Sequence, residues 1–241
     1  MTTIAPSVSL GDLSFVRSNI GLFLGGSALI ALVPWALTAY KIAVAVGILL
    51  VGIALRHRFY YEISLIYTVC TQRQWWHEIS PDVVLGAIPL THHVTQLKAQ
   101  GITHVIALLE DFELEQGIVH PATANLWQQQ GIAHIHTPVK DFQPIPIETI
   151  REVVERMQEI RRSNPLAKFY IHCKAGRGRS AMIVLADRLS PWVNNQQLQK
   201  RINQEILSLK AIRERVNLNA GQQAAIRAYC EQQQPKAGVN A

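Results

Sequence analysis

Hydrophobic and polar positions divide the chain into two regions. Between Ile20 and Leu55, 36 residues carry one charge, Lys41, whereas after Arg56 apolar and polar positions mix on the short periods of a folded domain. A straight helix over the first region would be about 54 Å long, against a hydrocarbon core of about 30 Å. Val33-Pro34-Trp35 and Thr38-Ala39-Tyr40-Lys41 place a helix breaker, two interfacial aromatics and a charge near its middle. The pattern therefore predicts an N-terminal transmembrane helical hairpin. The alternative is one span followed by an interfacial helix. Arg17 precedes the run and Arg56, Arg58 and Arg73 follow it, so the positive-inside rule puts both ends, and the domain beyond, in the cytoplasm. The N-terminus lacks a basic n-region and the run is too long for a signal peptide, so the segment is expected to stay attached as an integral membrane anchor. Buried core helices of a soluble protein fit poorly with 36 residues carrying a single charge.

Beyond the anchor, Phe59, Tyr60, Tyr61, Tyr67, Trp75 and Trp76 are interspersed with Arg and Glu, as in a chain leaving a bilayer. From Pro81 onward short β-rich runs alternate with helical patterns. Strands are expected at Val83–Leu85, His104–Leu108, Ala133–His136 and Phe169–His172, and helices at His92–Gln100, Ala122–Gln130 and Ile147–Arg162. In a helical tail Ile202, Ile206 and Leu209 recur at helix spacing. This alternation predicts an α/β domain with a mostly parallel central sheet flanked by helices. The resulting organisation is an anchor over 1–58, a connector over 59–80, an α/β domain over 81–234 and a flexible tail over 235–241.

Composition narrows the function classes. Apolar residues make up 49% of the chain and Gly and Pro are sparse, which excludes disordered and collagen-like proteins. The three cysteines are far apart and lack CxxC spacing, so neither a disulfide scaffold nor zinc or dithiol chemistry is indicated, and a reducing compartment fits. The net charge of +6 favours anionic partners. No nucleic-acid-binding motif accompanies it, so lipid headgroups and phosphoesters come ahead of nucleic acid.

The most informative stretch is Phe169-Tyr170-Ile171-His172-Cys173-Lys174-Ala175-Gly176-Arg177-Gly178-Arg179-Ser180, followed by the apolar run Ala181–Ala186. It reads as strand, loop and helix. Ligands of open α/β sheets sit at the carboxyl ends of strands, and a helix starting at once behind the loop aims its free N–H groups at an anion there. Gly176 and Gly178 let the backbone curl with its amides inward. Arg179 supplies a planar fork for two phosphate oxygens. Cys173 stands where an anion-binding nest would hold it as a thiolate nucleophile, and Ser180 is placed to donate a hydrogen bond to it. Rhodanese-like sulfur transferases also use a cysteine in an anion-binding loop, but they lack the acid that phosphoester cleavage needs.

The sequence HCKAGRGRS resembles the Cys-x5-Arg loop of the protein-tyrosine and dual-specificity phosphatase superfamily. The resemblance covers about Trp76 to Gln233 and is nearest to the mitochondrial-type phosphatidylglycerophosphate phosphatase branch. Further matching pieces are Val84–Leu90, Val105–Glu113, the Asp141 loop, and Ile212-Arg213 to Ala220-Gly221-Gln222. The family usually has Asn at the position of Leu109, and Arg-Pro-Gly where this chain reads Asn219-Ala220-Gly221. The resemblance implies a dual-specificity-phosphatase-like fold and hydrolysis without metal or cofactor. Such chemistry needs an acid for the leaving oxygen and then a base for water. Asp141, in a Pro-bounded loop about thirty residues before Cys173, is the candidate for both and matches the family's acid position. The resemblance makes Glu110, Asp111 and Glu113 a possible substrate wall. His172 is expected to order the loop rather than to donate protons. Lys174 and Arg177 add charge to the phosphate-binding loop of Lys174, Ala175, Gly176, Arg177 and Gly178, which points to a polyanionic or lipid phosphate.

Three functions remain in competition at this stage. The first is a membrane-anchored phosphatase acting on a phospholipid headgroup such as phosphatidylglycerophosphate, with phosphoinositides as alternatives. The second is a dual-specificity phosphatase of membrane-bound phosphoproteins, and the third a catalytically silent phosphate-binding adaptor.

Overall fold

The structure is a computed structural model that describes residues 10–71, 74–115, 117–191 and 197–233, as backbone alone at 10–36, 54–55 and 57–58. The expected flexible tail, 235–241, lies outside the described residues. The chain divides into two compact units, Met1–Tyr60 and Tyr61–Ala241.

Helix α1 runs without interruption from Leu10 to Thr71. The turn expected between Val33 and Lys41 is not formed. Apart from Pro34 this stretch holds good helix formers such as Ala36, Leu37 and Ala39 and no Gly or Asn to reverse the chain, so local propensity carries the helix onward. Within the first unit Leu37, Ile42, Ile48, Leu49, Leu50, Val51 and Ile53 are all more than half exposed. Among the described residues no helix is long and apolar enough to cross a membrane.

The second unit is built on a mixed sheet. Its strands are β1 (Trp76–Ser80), β2 (Val83–Gly86), β3 (His104–Ala107), β4 (Ala133–His136) and β5 (Phe169–His172), in the spatial order β1-β2-β5-β3-β4. β2, β5, β3 and β4 pair in parallel and β1 joins antiparallel at the edge of β2. The predicted strands form in place; β1 and the last turns of α1 occupy the stretch expected as connector, and Trp76–Ser80 holds no fully buried residue.

Strand alternation sorts the core into two layers. Val83, Leu85, Ile106, Phe169 and Ile171 face α4 (Ile147–Ser163), α5 (Arg179–Leu189), α6 (Leu198–Ile212) and α7 (Ala220–Gln232). Val84, Val105 and Tyr170 face α2 (His93–Ala99) and α3 (Ala124–Gln129), packing on Leu97 and Trp127. The register sets Gly86, His172, Ala107 and His136 level at the carboxyl ends of β2, β5, β3 and β4. A Cβ on Gly86 would collide with the Tyr170 ring, whose hydroxyl donates to Ala87 O at 2.6 Å. The Cys173 loop therefore leaves the carboxyl end of the central strand, whose neighbours are tightly fixed.

Candidate active site

The loop Cys173–Gly178 joins the end of β5 to the first turn of α5. Gly176 has φ +66°, and a Cβ there would lie 2.3 Å from Gly86 O, so the loop curls only with glycine at this position. Lys174 O accepts from Ile88 N at 3.1 Å, which ties the loop to the segment after β2. Its outward carbonyls are held by Arg213, which follows α6: Nε donates to Gly176 O at 2.9 Å and Nη2 to Ala175 O at 3.1 Å.

Cys173 is 4% exposed. Burial pushes its thiol up, but the Arg179 charge, the Ser180 hydroxyl and the backbone N–H groups of Ser180 and Arg177 together hold it below the ordinary thiol value. The Ser180 hydroxyl lies 3.3 Å from the sulfur. The surroundings thus shift Cys173 towards its thiolate, with the Ser180 hydroxyl directed at the sulfur.

Arg179 opens α5 and is 1% exposed. Its fork grips the Glu113 carboxylate through both terminal nitrogens, Nη1 also donates to Val139 O at 2.9 Å, and Nη2 lies 3.2 Å from Asp141 Oδ1. Burial works against the charge, but the Glu113 bonds and the negative charges of Cys173, Glu113 and Asp141 raise its pKa above the ordinary arginine value. Asp141 also pairs with Lys174 Nζ at 2.9 Å, so acid, cation and loop converge on one point. Phe142, with φ +60°, turns the chain after Asp141. The loop is fastened by Asn219, whose amide donates to Phe142 O at 2.9 Å, and by Gln222, which donates to Gln143 O at 3.4 Å. Asn219 and Gln222 also form the capping box of α7.

The acidic trio is placed differently from the expected substrate wall. Glu113 is 1% exposed and turned inward onto Arg179, because a buried guanidinium needs a paired carboxylate. Glu110 accepts from Asp141 N at 3.3 Å. Asp111 has a largely exposed carboxylate 3.8 Å from His136 Nδ1. None of the three lines the cavity over the loop. That cavity, about 700 Å³, brings together Cys173, Arg179 and Asp141 with residues that sequence reasoning did not select: Tyr67 of α1, Lys210 of α6 and Arg215. Arg213 and Asn219 belonged to matching pieces but had no assigned role; contacts across more than thirty residues leave no periodic signal.

His172 is buried and neutral. Burial is the main cause, helped by His134, Arg179 and His136, and its pKa is pushed down to about 3. His134 and His93, mainly through burial, fall to about 4. In the unfolded chain all three protonate near the model-peptide value of about 6.5. Stability contributed by the neutral rings is full above that pH and is lost as pH falls towards 4, because only the unfolded state takes up protons in this window. Thermal melting followed by circular dichroism is expected to shift downward between pH 7 and pH 4.5. Among the described residues no group of His, Cys, Asp or Glu is arranged to hold a metal ion.

Residues 84–223 match the PTP-SAK family, described as Swiss Army Knife protein, DSP-PTPase phosphatase domain. The phosphatidylglycerophosphate phosphatase PTPMT1 of Arabidopsis thaliana is 32% identical over 142 residues, covering 56% of this chain and 39% of that protein. PTPMT2 of the same plant is 27% identical over 184 residues, covering 74% and 75%. The phosphatidylglycerophosphatase and protein-tyrosine phosphatase 1 of Homo sapiens is 30% identical over 151 residues, covering 59% and 71%. The match thus spans about two fifths of the first relative's length and about three quarters of the second's. A crystal structure of PTPMT1 in complex with PI(5)P shares the fold, with a TM-score of 0.57 at 21% identity over 66% of this chain and 97% of that one. With a cysteine-arginine loop on such a sheet and more than half of its length within the matched region, the chain belongs to the DSP-PTPase phosphatase family of phosphoric monoester hydrolases.

Proposed function

We propose that the chain is a membrane-attached, cysteine-dependent phosphatase that removes a phosphomonoester from a phospholipid headgroup, phosphatidylglycerophosphate being the leading substrate. The observation that carries the chemistry is the convergence of Cys173, Arg179 and Asp141 on one cavity. The Cys173 thiolate attacks phosphorus while Arg179 and the loop N–H groups hold the equatorial oxygens. The P–O bond to the leaving group breaks, and that oxygen takes the proton carried by Asp141. Water then attacks the cysteinyl-phosphate and gives its proton to the Asp141 carboxylate. The S–P bond breaks, releasing inorganic phosphate and the thiolate, which the Ser180 hydroxyl stabilises as a leaving group. His172 keeps the loop's base packed and takes no part in proton transfer.

The headgroup reading is supported by charge. Lys174, Arg177, Arg179, Lys210 and Arg215 line the cavity against two carboxylates, Asp141 and Glu214. Such an excess suits a substrate with more than one anionic group. The names of the plant relatives agree with phosphatidylglycerophosphate. Membrane attachment through residues 20–55 rests on their single charge, and the greater number of arginines after the run favours a cytoplasmic catalytic domain. Attachment raises the effective concentration of a lipid substrate at the loop. The name of the human relative, which joins lipid and tyrosine phosphatase, favours protein phosphatase activity as the second reading.

The test is phosphate release by the full chain in mixed micelles from phosphatidylglycerophosphate, phosphoinositides and a phosphotyrosyl peptide. The highest kcat/KM is expected on phosphatidylglycerophosphate. Preference for the peptide moves the assignment to phosphoproteins, and binding of phosphate analogues without turnover of any substrate makes the chain an adaptor. Asp141→Ala is expected to lower kcat about 10²- to 10⁴-fold on lipid and far less on p-nitrophenyl phosphate, whose leaving group needs no proton. Equal losses on both substrates would remove Asp141 from the acid role.

A further inference from the structure

Curling a loop so that its N–H groups face an anion turns carbonyl oxygens to the reverse side, where they need donors. In this chain Ile88 N meets that need for Lys174 O and Asn217 N for Arg177 O, and a single side chain meets it for the two carbonyls between them. Arg213 is 2% exposed, and besides the carbonyls of Ala175 and Gly176 its Nη1 donates to His77 Nδ1 at 2.9 Å and reaches Gln74 O at 3.5 Å. No ion pair joins it to a carboxylate among the described residues, whereas the equally buried Arg179 has Glu113. A buried guanidinium without a carboxylate is costly to desolvate unless another negative charge faces it. Burial does pull Arg213 below its ordinary value, and the groups that oppose this are Tyr170 and Cys173. Tyr170 is fully buried, and burial drives its phenol far above the ordinary range, so it stays neutral. The negative charge of the Cys173 thiolate favours the protonated form of Arg213.

We propose that Arg213 is a positioning residue of the phosphate loop: it grips the outward carbonyls of Ala175 and Gly176, so fixing the loop N–H groups towards Cys173. The other ionisable groups around the sulfur are accounted for. His172 is neutral, Lys174 and Asp141 pair with each other, and Arg177 offers its backbone N–H. His77 completes the arrangement from the far side. Burial and the Arg213 charge keep its ring below its usual pKa, so Nδ1 retains the lone pair that accepts from Arg213. Glycine at 176 is required here too, since a Cβ would lie 2.9 Å from Arg213 Nη2.

The proposal rests on Cys173 as nucleophile but not on the identity of the substrate, and its test reads the thiolate without turnover. The rate of Cys173 alkylation by iodoacetamide is followed against pH by peptide mass spectrometry in wild type, Arg213→Gln and Arg213→Lys, with p-nitrophenyl phosphate hydrolysis in parallel. Releasing the two carbonyls in Arg213→Gln lets the loop N–H groups turn away from the sulfur, which is expected to raise the alkylation midpoint by about one pH unit and to lower kcat at least about tenfold, with KM changed less. Arg213→Lys also loses the fork that holds both carbonyls, so its midpoint is expected to rise and its kcat to fall in the same direction. An unmoved midpoint in folded Arg213→Gln, with only a lower melting temperature, overturns the proposal. Should Arg213→Gln fail to fold, Arg213→Lys decides, and wild-type kcat in it overturns the proposal. A low midpoint in a wild type that hydrolyses nothing defeats the proposed function while the alkylation comparison still judges Arg213.

Discussion

Replacing Cys173 by Ser is expected to abolish phosphate release from every substrate while leaving binding of tungstate intact. A serine hydroxyl in the same place stays protonated at neutral pH, because the surroundings that bring a thiol down to the thiolate cannot bring an alcohol so far. The expected loss in kcat is about 10⁴-fold or more, the scale on which enzymes respond to removal of the nucleophile. Tungstate binding persists because its partners are the loop N–H groups and Arg179. Isothermal calorimetry with tungstate and single-turnover phosphate release separate the two properties. The pH dependence of the wild type follows the same logic. Since Cys173 sits below the ordinary thiol value, kcat/KM is expected to rise with pH through that lowered pKa, at lower pH than a free thiol would require. Retained turnover in Cys173→Ser would remove the covalent mechanism.

Arg179→Ala is expected to damage both activity and folding. The side chain is buried against Glu113, and deleting it leaves a carboxylate at 1% exposure without its cation. Breaking a buried pair in this way costs about 3–5 kcal/mol. Urea denaturation should show the loss as a lower midpoint. Substituting both partners with apolar residues, Arg179→Met with Glu113→Leu, is expected to recover much of that stability but none of the activity, since the fork is gone. Arg179→Lys is the complementary test: it keeps a charge next to Asp141 and Glu113 but cannot hold two phosphate oxygens in one plane, so kcat falls about 10²- to 10³-fold with a smaller stability change. An Arg179→Ala protein with a wild-type urea midpoint would contradict the pairing with Glu113.

The loop itself was legible in the sequence because its determinants are local. Cys173, Gly176, Gly178, Arg179 and Ser180 lie within eight consecutive positions, and strand-then-helix periodicity on either side fixes the geometry between them. Asp141 was legible through spacing and resemblance, and the structure brings its carboxylate to Arg179 and Lys174. The acidic residues after β3 are expected from the resemblance as a substrate wall, whereas the structure turns Glu113 onto Arg179 and leaves all three out of the cavity lining. Whether Glu113 faces a cavity or the core depends on where α5 presents Arg179, 66 positions away. The N-terminal hairpin was inferred from hydrophobicity and one proline, and the backbone instead continues as a helix through those residues.

Sequence by itself determined the alternation of strands and helices and the strand-loop-helix placement of Cys173 and Arg179 around a glycine-bearing loop. Each follows from neighbours in the chain, through periodicity, glycine freedom and the free amides of a helix start. Tertiary structure alone decided that Glu113 pairs with Arg179, that Asn219 and Gln222 fasten the acid loop, and that Arg213 closes the loop from behind. These are contacts between segments tens of residues apart, chosen by which surfaces the packed sheet and helices bring within about 3 Å, and a linear pattern carries no record of that choice.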